Sequence, residues 1–371
     1  MGNITMKKVA KQAGVSVMTV SRVVNGFPYV SDKVAEKVRS AMSEVGYDPR
    51  RRRRVAIPKD KTGDIGLLLI GATLDYLRLP LYSAIISKIE SVLAEEGYRL
   101  VLTQVPDMTQ LPVTVSPSKL DGALVIGGRF AQPSTRGALR RLNSVMLLGS
   151  HGRNGKSDSW ADWVSSDYYA SGQLAAQYLV ERGHRVIAYL NPMPTHPGFQ
   201  EVAEGFERCG QESGAEVVLL VDGPSKDIRS WDRQKGRVVV EALVRQCLSR
   251  PVAQRPTGIH VANDEICTVA YPVLMESGLL PGKDLEVIGR GNEEPFISML
   301  HPRPASIDLN AQAIARRAVS SLFYRMSHPE DSVYTNTVVA PRIVAGDTEW
   351  SSEHRASSCS ESQADNLRQP L

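Results

Sequence analysis

The sequence predicts an N-terminal all-α unit with a helix-turn-helix, followed by a larger two-lobed α/β body with parallel sheets. The 371 residues are about twice the length of one typical domain. Residues 1–62 carry 14 Lys and Arg against 5 Asp and Glu, whereas the remainder carries 30 against 35. From residue 64 onward, apolar segments of strand length alternate with amphipathic segments of helix length.

The first two N-terminal helices are bounded by capping residues and a glycine. Thr5 can cap a first helix, which Gly14 ends in a tight turn. Ser16 can cap a second helix, in which Val20 and Val23 lie inward at helical spacing. The short connection between the two predicts a helix-turn-helix.

A third helix is predicted to brace this pair. Ser31 can cap it, and Gly46 can end it at the position where a left-handed residue is favoured. Three short helices with a basic excess are typical of a module that binds a polyanion. A solvated basic face without such a partner is the alternative.

The second predicted helix is suited to the major groove of DNA. Arg22 can donate two hydrogen bonds to a guanine, while Val17 and Met18 can contact thymine methyl groups. Ser16 and Thr19 at the helix start suit phosphate contacts. The alternative is that these are merely exposed residues of a small helical bundle.

The body is predicted from its alternating elements. We expect strands at 65–70, 99–105, 120–126, 145–149, 185–190, 216–221, 258–262 and 285–289, with helices at 81–96, 168–182, 232–249, 265–277 and 310–326. This pattern is typical of parallel sheets covered on both faces. It is too long for one small sheet, so we expect two similar lobes. Residues 349–371 are polar and Ser-rich, and we expect them to be disordered.

Several classes of protein are disfavoured by what the sequence lacks. It contains no G-x-G-x-x-G loop after the first strand, no G-x-x-x-x-G-K-[ST] and no G-x-S-x-G, so we expect no enzyme activity. The four cysteines are scattered, which predicts reduced thiols and neither a metal nor another cofactor. The N-terminus has no secretory signal and no segment could span a membrane, so we expect a cytoplasmic protein.

Residues 6–49 resemble the DNA-binding headpiece of the LacI/GalR (lactose-repressor) family of bacterial transcription regulators. The matching blocks are Val9-Ala10, Ala13-Gly14-Val15-Ser16, Thr19-Val20-Ser21-Arg22-Val23-Val24-Asn25-Gly26, Val30-Ser31, Val38 and Gly46-Tyr47. Weaker matches continue along the body, for example at Gly205-Phe206, Ala262-Asn263-Asp264-Glu265 and Val287-Ile288-Gly289. The resemblance covers roughly residues 5–348.

The resemblance implies that the second helix reads double-stranded operator DNA. The residues implied to contact DNA are Thr5, Lys7, Ser16, Val17, Met18, Thr19, Ser21, Arg22, Asn25, Tyr29, Arg50, Arg51, Arg52, Arg53, Arg54, Val55 and Ile57. Family members carry a hinge helix after the headpiece, with a leucine wedged into the minor groove. Here the five arginines precede Val55 and Ile57, and we expect this linker to order on DNA with one of these two replacing the leucine. A disordered basic tether is the alternative.

The resemblance also implies a periplasmic-binding-protein-like body that binds a small-molecule effector, such as a sugar or sugar phosphate, between its lobes. The expected domains are 1–49 (headpiece), 50–62 (hinge) and 63–348 (body), with one lobe at 63–170 and 305–328 and the other at 171–304 and 332–348. The family represses transcription as dimers on palindromic operators, so a homodimer at the nucleoid is expected. The tail lacks a leucine heptad, which favours a dimer over a tetramer.

Six residues are the candidates for effector binding: Tyr82, Trp160, Trp231, Asn263, Arg290 and Asp308. The family's arginine is absent from residues 196–201, and Arg290-Gly291-Asn292 stands where an aspartate usually follows the strand. Arg290 would favour an acidic or phosphorylated effector if it faces the cleft, whereas pairing with Glu293 or Glu294 at the surface is the alternative. Packing within a lobe is the alternative for the tryptophans. Asp264 is expected to cap the helix after it.

Two other functions stay open. In one, the body has lost effector binding and serves only dimerisation or contact with a partner, because the usual polar clamp for a sugar is partly missing. In the other, the chain is a solute-binding receptor, which would share the body architecture but is disfavoured by the basic helical head.

Overall fold

The computed structural model describes residues 6–24, 30–46, 61–71, 77–106, 109–127, 132–149, 160–221, 233–348 and 350. Within these ranges the chain forms a three-helix headpiece and an α/β body with two largely parallel sheets, which confirms the predicted fold class. None of the helices in these ranges has the length and hydropathy needed to cross a bilayer. The expectations for the hinge up to residue 60 and for the tail beyond Trp350 lie outside the described residues.

The headpiece has a small apolar core. Its helices are α1 (Met6–Ala13), α2 (Val17–Val24) and α3 (Asp32–Glu44). The buried side chains are Val9, Ala10, Ala13, Val20, Val38, Ala41 and Met42. All three helices contribute side chains to this core. Val20 packs α2 against the other two helices, so the face of α2 opposite Val20 is exposed.

The described ends of the headpiece helices follow the predicted capping pattern except at Ser31, and the predicted cap at Thr5 lies outside the described residues. Gly14 and Gly46 have φ of 63° and 67°, a conformation that side chains with a Cβ rarely adopt. The backbone N–H of Thr19 donates to Ser16 Oγ at 3.1 Å, so the predicted cap of α2 is confirmed. Ser31 precedes α3 as predicted, but its side chain makes no capping hydrogen bond.

The first lobe is built on a six-stranded parallel sheet. Its elements are β1 (Asp64–Ile70), α4 (Pro80–Glu95), β2 (Arg99–Val105), β3 (Gly122–Gly127), α5 (Pro133–Arg141), β4 (Val145–Leu147), β5 (Asp162–Ser166), α11 (Ala311–Ser327) and β11 (Asn336–Val339). The strand order is β11-β5-β4-β3-β1-β2. Strand β1 lies inside the sheet between β2 and β3 and is buried almost throughout, as a central parallel strand requires.

The second lobe repeats this plan. Its elements are α6 (Tyr168–Glu181), β6 (Val186–Asn191), α7 (Pro197–Glu212), β7 (Glu216–Val221), α8 (Arg233–Leu248), β8 (Gly258–Val261), α9 (Asp264–Glu276), β9 (Glu286–Gly291), α10 (Glu294–Ile297), β10 (Ala305–Asp308) and β12 (Arg342–Val344). The strand order is β12-β10-β9-β8-β6-β7, with only β12 antiparallel to its neighbour among these strands.

Two strands lie in the lobe opposite to the one predicted. Residues 305–308 pair with β9 in the second lobe, whereas we expected 305–328 in the first. Residues 336–339 pair with β5 in the first lobe, whereas we expected 332–348 in the second. Each strand has four residues, too few for its apolar pattern to select a sheet. Helix α11 does lie on the first lobe as predicted, with Leu322 against Gly122.

Candidate functional site

The exposed face of α2 is the first candidate site. Val17 and Met18 begin the helix with 41% and 65% of their surface exposed, while Val20 on the opposite face is fully buried. The hydroxyl groups of Ser16 and Thr19 lie 2.9 Å apart at the helix start. Exposed apolar side chains at the N-terminus of a short helix are unexplained by the headpiece core and fit contact with base edges.

Many of the predicted DNA-contacting residues cannot be placed. Those outside the described residues are Thr5, Asn25, Tyr29, Arg50, Arg51, Arg52, Arg53, Arg54, Val55 and Ile57. Lys7, Ser21 and Arg22 lie within helices, but their side chains are also outside the description. The roles of all these residues therefore stay predictions.

The second candidate site lies at the carboxyl edge of the second lobe's sheet. Arg290 is the penultimate residue of β9 and is only 4% exposed. Its Cζ lies 4.5 Å from the ring centroid of Tyr168, at the start of α6. The Nε and Nη2 atoms have no hydrogen-bond partner among the described residues. Arg290 is therefore a buried arginine whose Nε and Nη2 donors are not used by the described residues around it.

The surface pairing considered for Arg290 is not present. Glu294 pairs instead with Arg303, at 3.2 Å. Glu293 accepts a hydrogen bond from the backbone N–H of Leu81 at 3.0 Å. Since Leu81 lies in the first turn of α4 of the first lobe and packs on the core of the second, this bond joins the two lobes. Burial and the neighbouring Asp264 raise the pKa of Glu293 to about 7.

Asp264 does not cap α9, contrary to expectation. Asn263 has an extended backbone and its Oδ1 accepts from the N–H of Ile266 at 2.8 Å, so the cap is one residue earlier. Asp264 is fully buried and accepts from Ser306 Oγ and from the N–H of Glu293, both at 2.8 Å. Burial raises its pKa to about 6, although these hydrogen bonds act in the opposite direction.

Two of the predicted effector-binding residues, Tyr82 and Asn263, are next in the chain to residues of this edge. Tyr82 is half-buried beside Leu81, and Glu293, which bonds to Leu81, follows Arg290 by three residues. Asn263 lies at the end of β8 as predicted, with its Oδ1 used by the helix cap. Asn263 and Arg290 lie at the carboxyl ends of β8 and β9, and the bond from Leu81 brings the first lobe to this edge, where open α/β sheets bind ligands.

Other predicted effector contacts are placed differently. Trp160 is 3% exposed in the core of the first lobe and its carbonyl accepts from Arg140 Nε, so packing accounts for it. Asp308 accepts from Arg342 Nη2 at 2.8 Å and from the N–H of Asn310 at 2.7 Å. Its carboxylate is therefore used by the fold. Trp231 lies outside the described residues.

Tyr168 is a site residue that the sequence did not indicate. It follows β5, whose sequence DWVSS is polar and was not predicted as a strand. The sequence signal that could have located Tyr168 is Asp167, which caps α6 by accepting from the N–H of Ala170 at 2.9 Å. A capping aspartate directly before a tyrosine places that tyrosine in the first turn of a helix.

The described residues offer no grouping of three His, Cys, Asp or Glu side chains that could hold a metal ion. Cys209, Cys247 and Cys267 are free thiols, and burial raises the pKa of the Cys247 and Cys267 thiols. His260 is fully buried, and burial lowers its pKa to about 3.

Comparisons with known proteins extend to both parts of the chain. Residues 5–50 match the family model "Bacterial regulatory proteins, lacI family", and residues 176–348 match "Periplasmic binding protein-like domain". The ribose operon repressor of Escherichia coli (strain K12) is 28% identical over 332 residues, covering 88% of this chain and 94% of that protein.

Two solved structures have the same fold. A complex of the transcriptional regulator CelR with cellobiose is 22% identical with a TM-score of 0.63, and the match covers 93% of this chain and all of that one. The lac repressor dimer bound to operator and the anti-inducer ONPF is 23% identical with a TM-score of 0.60, covering 94% and 99%.

Proposed function

The chain belongs to the LacI family of bacterial regulatory proteins, and we propose that it represses transcription by binding a palindromic operator as a dimer. The resemblance found in residues 6–49 is thereby confirmed. The observation that carries the proposal is α2, a helix fixed by Val20 on one face and exposing Val17 and Met18 on the other. Such a helix fits the major groove and contacts base edges from its first turn.

DNA recognition follows from the chemistry of this helix. Val17 and Met18 supply apolar contact with thymine methyl groups, and the backbone N–H groups at the start of α2 attract a phosphate. We propose that Arg22 supplies the guanine contact predicted from the sequence. Two headpieces on a two-fold axis read two half-sites, which supports the dimer. Among the relatives, the lac repressor structure is a dimer on its operator.

We infer that a small molecule controls DNA binding from the region between the lobes. A ligand shifts such an equilibrium only by binding one lobe arrangement better than another. The hydrogen bond from Leu81 to Glu293 crosses between the lobes, so the contacts beside Arg290 depend on their arrangement. CelR was solved with cellobiose, which supports a polyhydroxylated effector.

Selection of bound sequences from random DNA tests the proposal, with the full chain as the binding protein. We expect a palindrome whose half-sites lie about one or two helical turns apart. Met18→Ala should relax the preference at one base pair of each half-site by about 1 kcal/mol, because an apolar contact is lost. Glu36→Ala, exposed on α3, is the matched control and should leave the preference unchanged.

Binding that shows no sequence preference and depends only on salt would contradict the proposal. The linker is tested on the selected operator by replacing Arg51, Arg52, Arg53 and Arg54 with alanine. We expect a larger loss of affinity on the operator than on random DNA. An equal loss on both, with a shallower salt dependence, would support the basic tether instead.

A further inference from the structure

Some of the described arginines bind a carboxylate through one edge of the guanidinium group, using Nε and Nη2 together. Arg99 donates from Nε and Nη2 to the two carboxylate oxygens of Asp64, at 2.7 and 2.9 Å. Arg325 uses the same two nitrogens toward Asp162. This paired geometry is the one in which a guanidinium matches a carboxylate or phosphate.

In Arg290 the same edge of the guanidinium forms no hydrogen bond with the described residues. Nε and Nη2 are both buried and have no hydrogen-bond partner among the described residues, while Tyr168 covers one face of the group. A guanidinium does not lose its proton in proteins. Burying a guanidinium without hydrogen bonds is unfavourable, so a negatively charged group bound at this edge would stabilise it.

The carboxylates that act electrostatically on Arg290 are committed elsewhere. Asp264 is held by the hydroxyl of Ser306 and the N–H of Glu293, and Glu293 itself accepts from Leu81. Neither forms an ion pair with the guanidinium. The described residues around Arg290 therefore do not supply its partner.

The surroundings of Arg290 favour an oxyanion that also carries hydroxyl groups. Tyr168 is the first residue of α6, and a Cβ on Gly198 in the first turn of α7 would lie 2.4 Å from its ring. The first turns of α6 and α7 thus meet at the Tyr168 ring, which covers the guanidinium, and helix N-termini favour negative charge. Asn292 Oδ1 is a second buried polar atom at this edge without a partner among the described residues, suited to accept from a hydroxyl.

We propose that Arg290 binds the oxyanion of the effector, which is therefore an acidic sugar derivative, a sugar phosphate or a sugar carboxylate, and not a neutral sugar. This inference rests on the proposed function, because it names the ligand class of the region between the lobes. The guanidinium edge binds two oxygens of the anion, while Tyr168 stays on the guanidinium face.

The experiment is calorimetric titration of the full chain with matched probes. The first set is ribose, ribose 5-phosphate and ribonate, and the second is glucose, glucose 6-phosphate and gluconate. We expect an acidic member of a set to bind more tightly than its neutral sugar. Arg290→Met should weaken that acidic probe about tenfold to a hundredfold, because a charge-assisted pair of hydrogen bonds is lost. The neutral sugar should bind both proteins alike.

Two further variants make the result specific to the paired geometry. Arg290→Lys keeps the charge but not the two parallel donors, and should restore only part of the affinity. Arg99→Met removes the same kind of side chain from a partly exposed pair with Asp64, and should leave all affinities unchanged. Whether the phosphate or the carboxylate probe binds better identifies the source of the oxyanion.

The proposal is overturned if no acidic probe binds, if Arg290→Met binds the acidic probe as tightly as the natural chain, or if only the neutral sugar binds. These results leave sequence-selective DNA binding untouched, since that is measured separately. Loss of operator selectivity with intact anion binding would instead contradict the proposed repressor function.

Discussion

The two ends of strand β9 carry opposite charges with opposite surroundings. Glu286 at its start and Arg290 near its end are both buried, 1% and 4% exposed. Glu286 accepts hydrogen bonds from Arg182 Nε at 2.8 Å and Tyr178 Oη at 3.3 Å, and lies 3.0 Å from His184 Nε2. Arg290 makes no such bonds within the described chain. The same strand thus holds one charge that forms hydrogen bonds within the fold and one whose Nε and Nη2 form none with the described residues.

The pKa values of the carboxyl groups near these two ends are shifted in opposite directions. Burial alone would raise the pKa of Glu286, but hydrogen bonds from His184 and Arg182 outweigh it and hold the pKa below its usual value. At the other end, burial raises the pKa of Glu293 to about 7. Ionised Glu286 is therefore stabilised by folding, whereas ionised Glu293 is destabilised by it.

The largest effect should come from removing the satisfied charge. Glu286→Gln keeps the side-chain size but leaves Arg182 and the buried His184 without their carboxylate. We expect the free energy of unfolding of the body to fall by about 3–5 kcal/mol, as measured by denaturant titration. Glu212→Gln, which breaks an exposed pair with Arg208, should leave the midpoint unchanged. A loss below about 1 kcal/mol at Glu286 would contradict the role assigned to this cluster.

The pH dependence of stability should distinguish the two ends. Glu293 has a folded pKa of about 7, so the native state binds more protons than the unfolded chain between about pH 4.5 and pH 7. This group therefore lowers the free energy of unfolding as pH rises through that window, by at most about 1.4 kcal/mol per pH unit. Asp264, with a pKa of about 6, acts in the same direction.

Glu293→Gln should make this decline shallower, because the variant has no proton to release there. Unfolding titrations of both proteins at several pH values across the window would measure the two slopes. Glu286 contributes the opposite dependence, because its stabilisation is lost as pH falls through its lowered pKa. Identical slopes for the natural chain and Glu293→Gln would show that Glu293 does not titrate in this range.

The smallest effect should come from removing the unsatisfied charge. Arg290→Met loses the contact with Tyr168 but no hydrogen bond to a described residue, and it removes a buried cation. In the absence of ligand we expect the free energy of unfolding to change by no more than about 1 kcal/mol. A loss comparable with that of Glu286→Gln would mean that Arg290 serves the fold, and the contrast between the two ends would disappear.

Much of the fold could be predicted because long elements have regular patterns. The helices after β5 and β10 and the buried strand β1 follow from apolar spacing alone. Strand β5 could not be predicted from its sequence DWVSS. Its Asp162 is buried because Arg325 and Thr335 bind it, and both lie more than 160 residues further along the chain.

The candidate sites divide in the same way. Val17 and Met18 were placed correctly because the helical period alone turns them away from Val20. For Trp160 the sequence left effector contact and core packing open, because an aromatic side chain suits both, and the structure places it in the core of the first lobe. Arg290 was singled out by its departure from the family pattern, yet whether it was buried or paired at the surface could not be decided.

What the sequence by itself determined is local or carried by motif: the glycine turns and the Ser16 cap of the headpiece, the alternation of the body, and the family. Only the tertiary structure decided which charges are satisfied. Glu286 and Arg290 are the two charged residues of β9, which is otherwise apolar. The neighbouring sequence does not show which of them gains hydrogen-bond partners in the fold. Arg182, which satisfies Glu286, lies 104 residues away. Desolvation and ion pairing depend on neighbours in space, and the chain brings those neighbours together only when it folds.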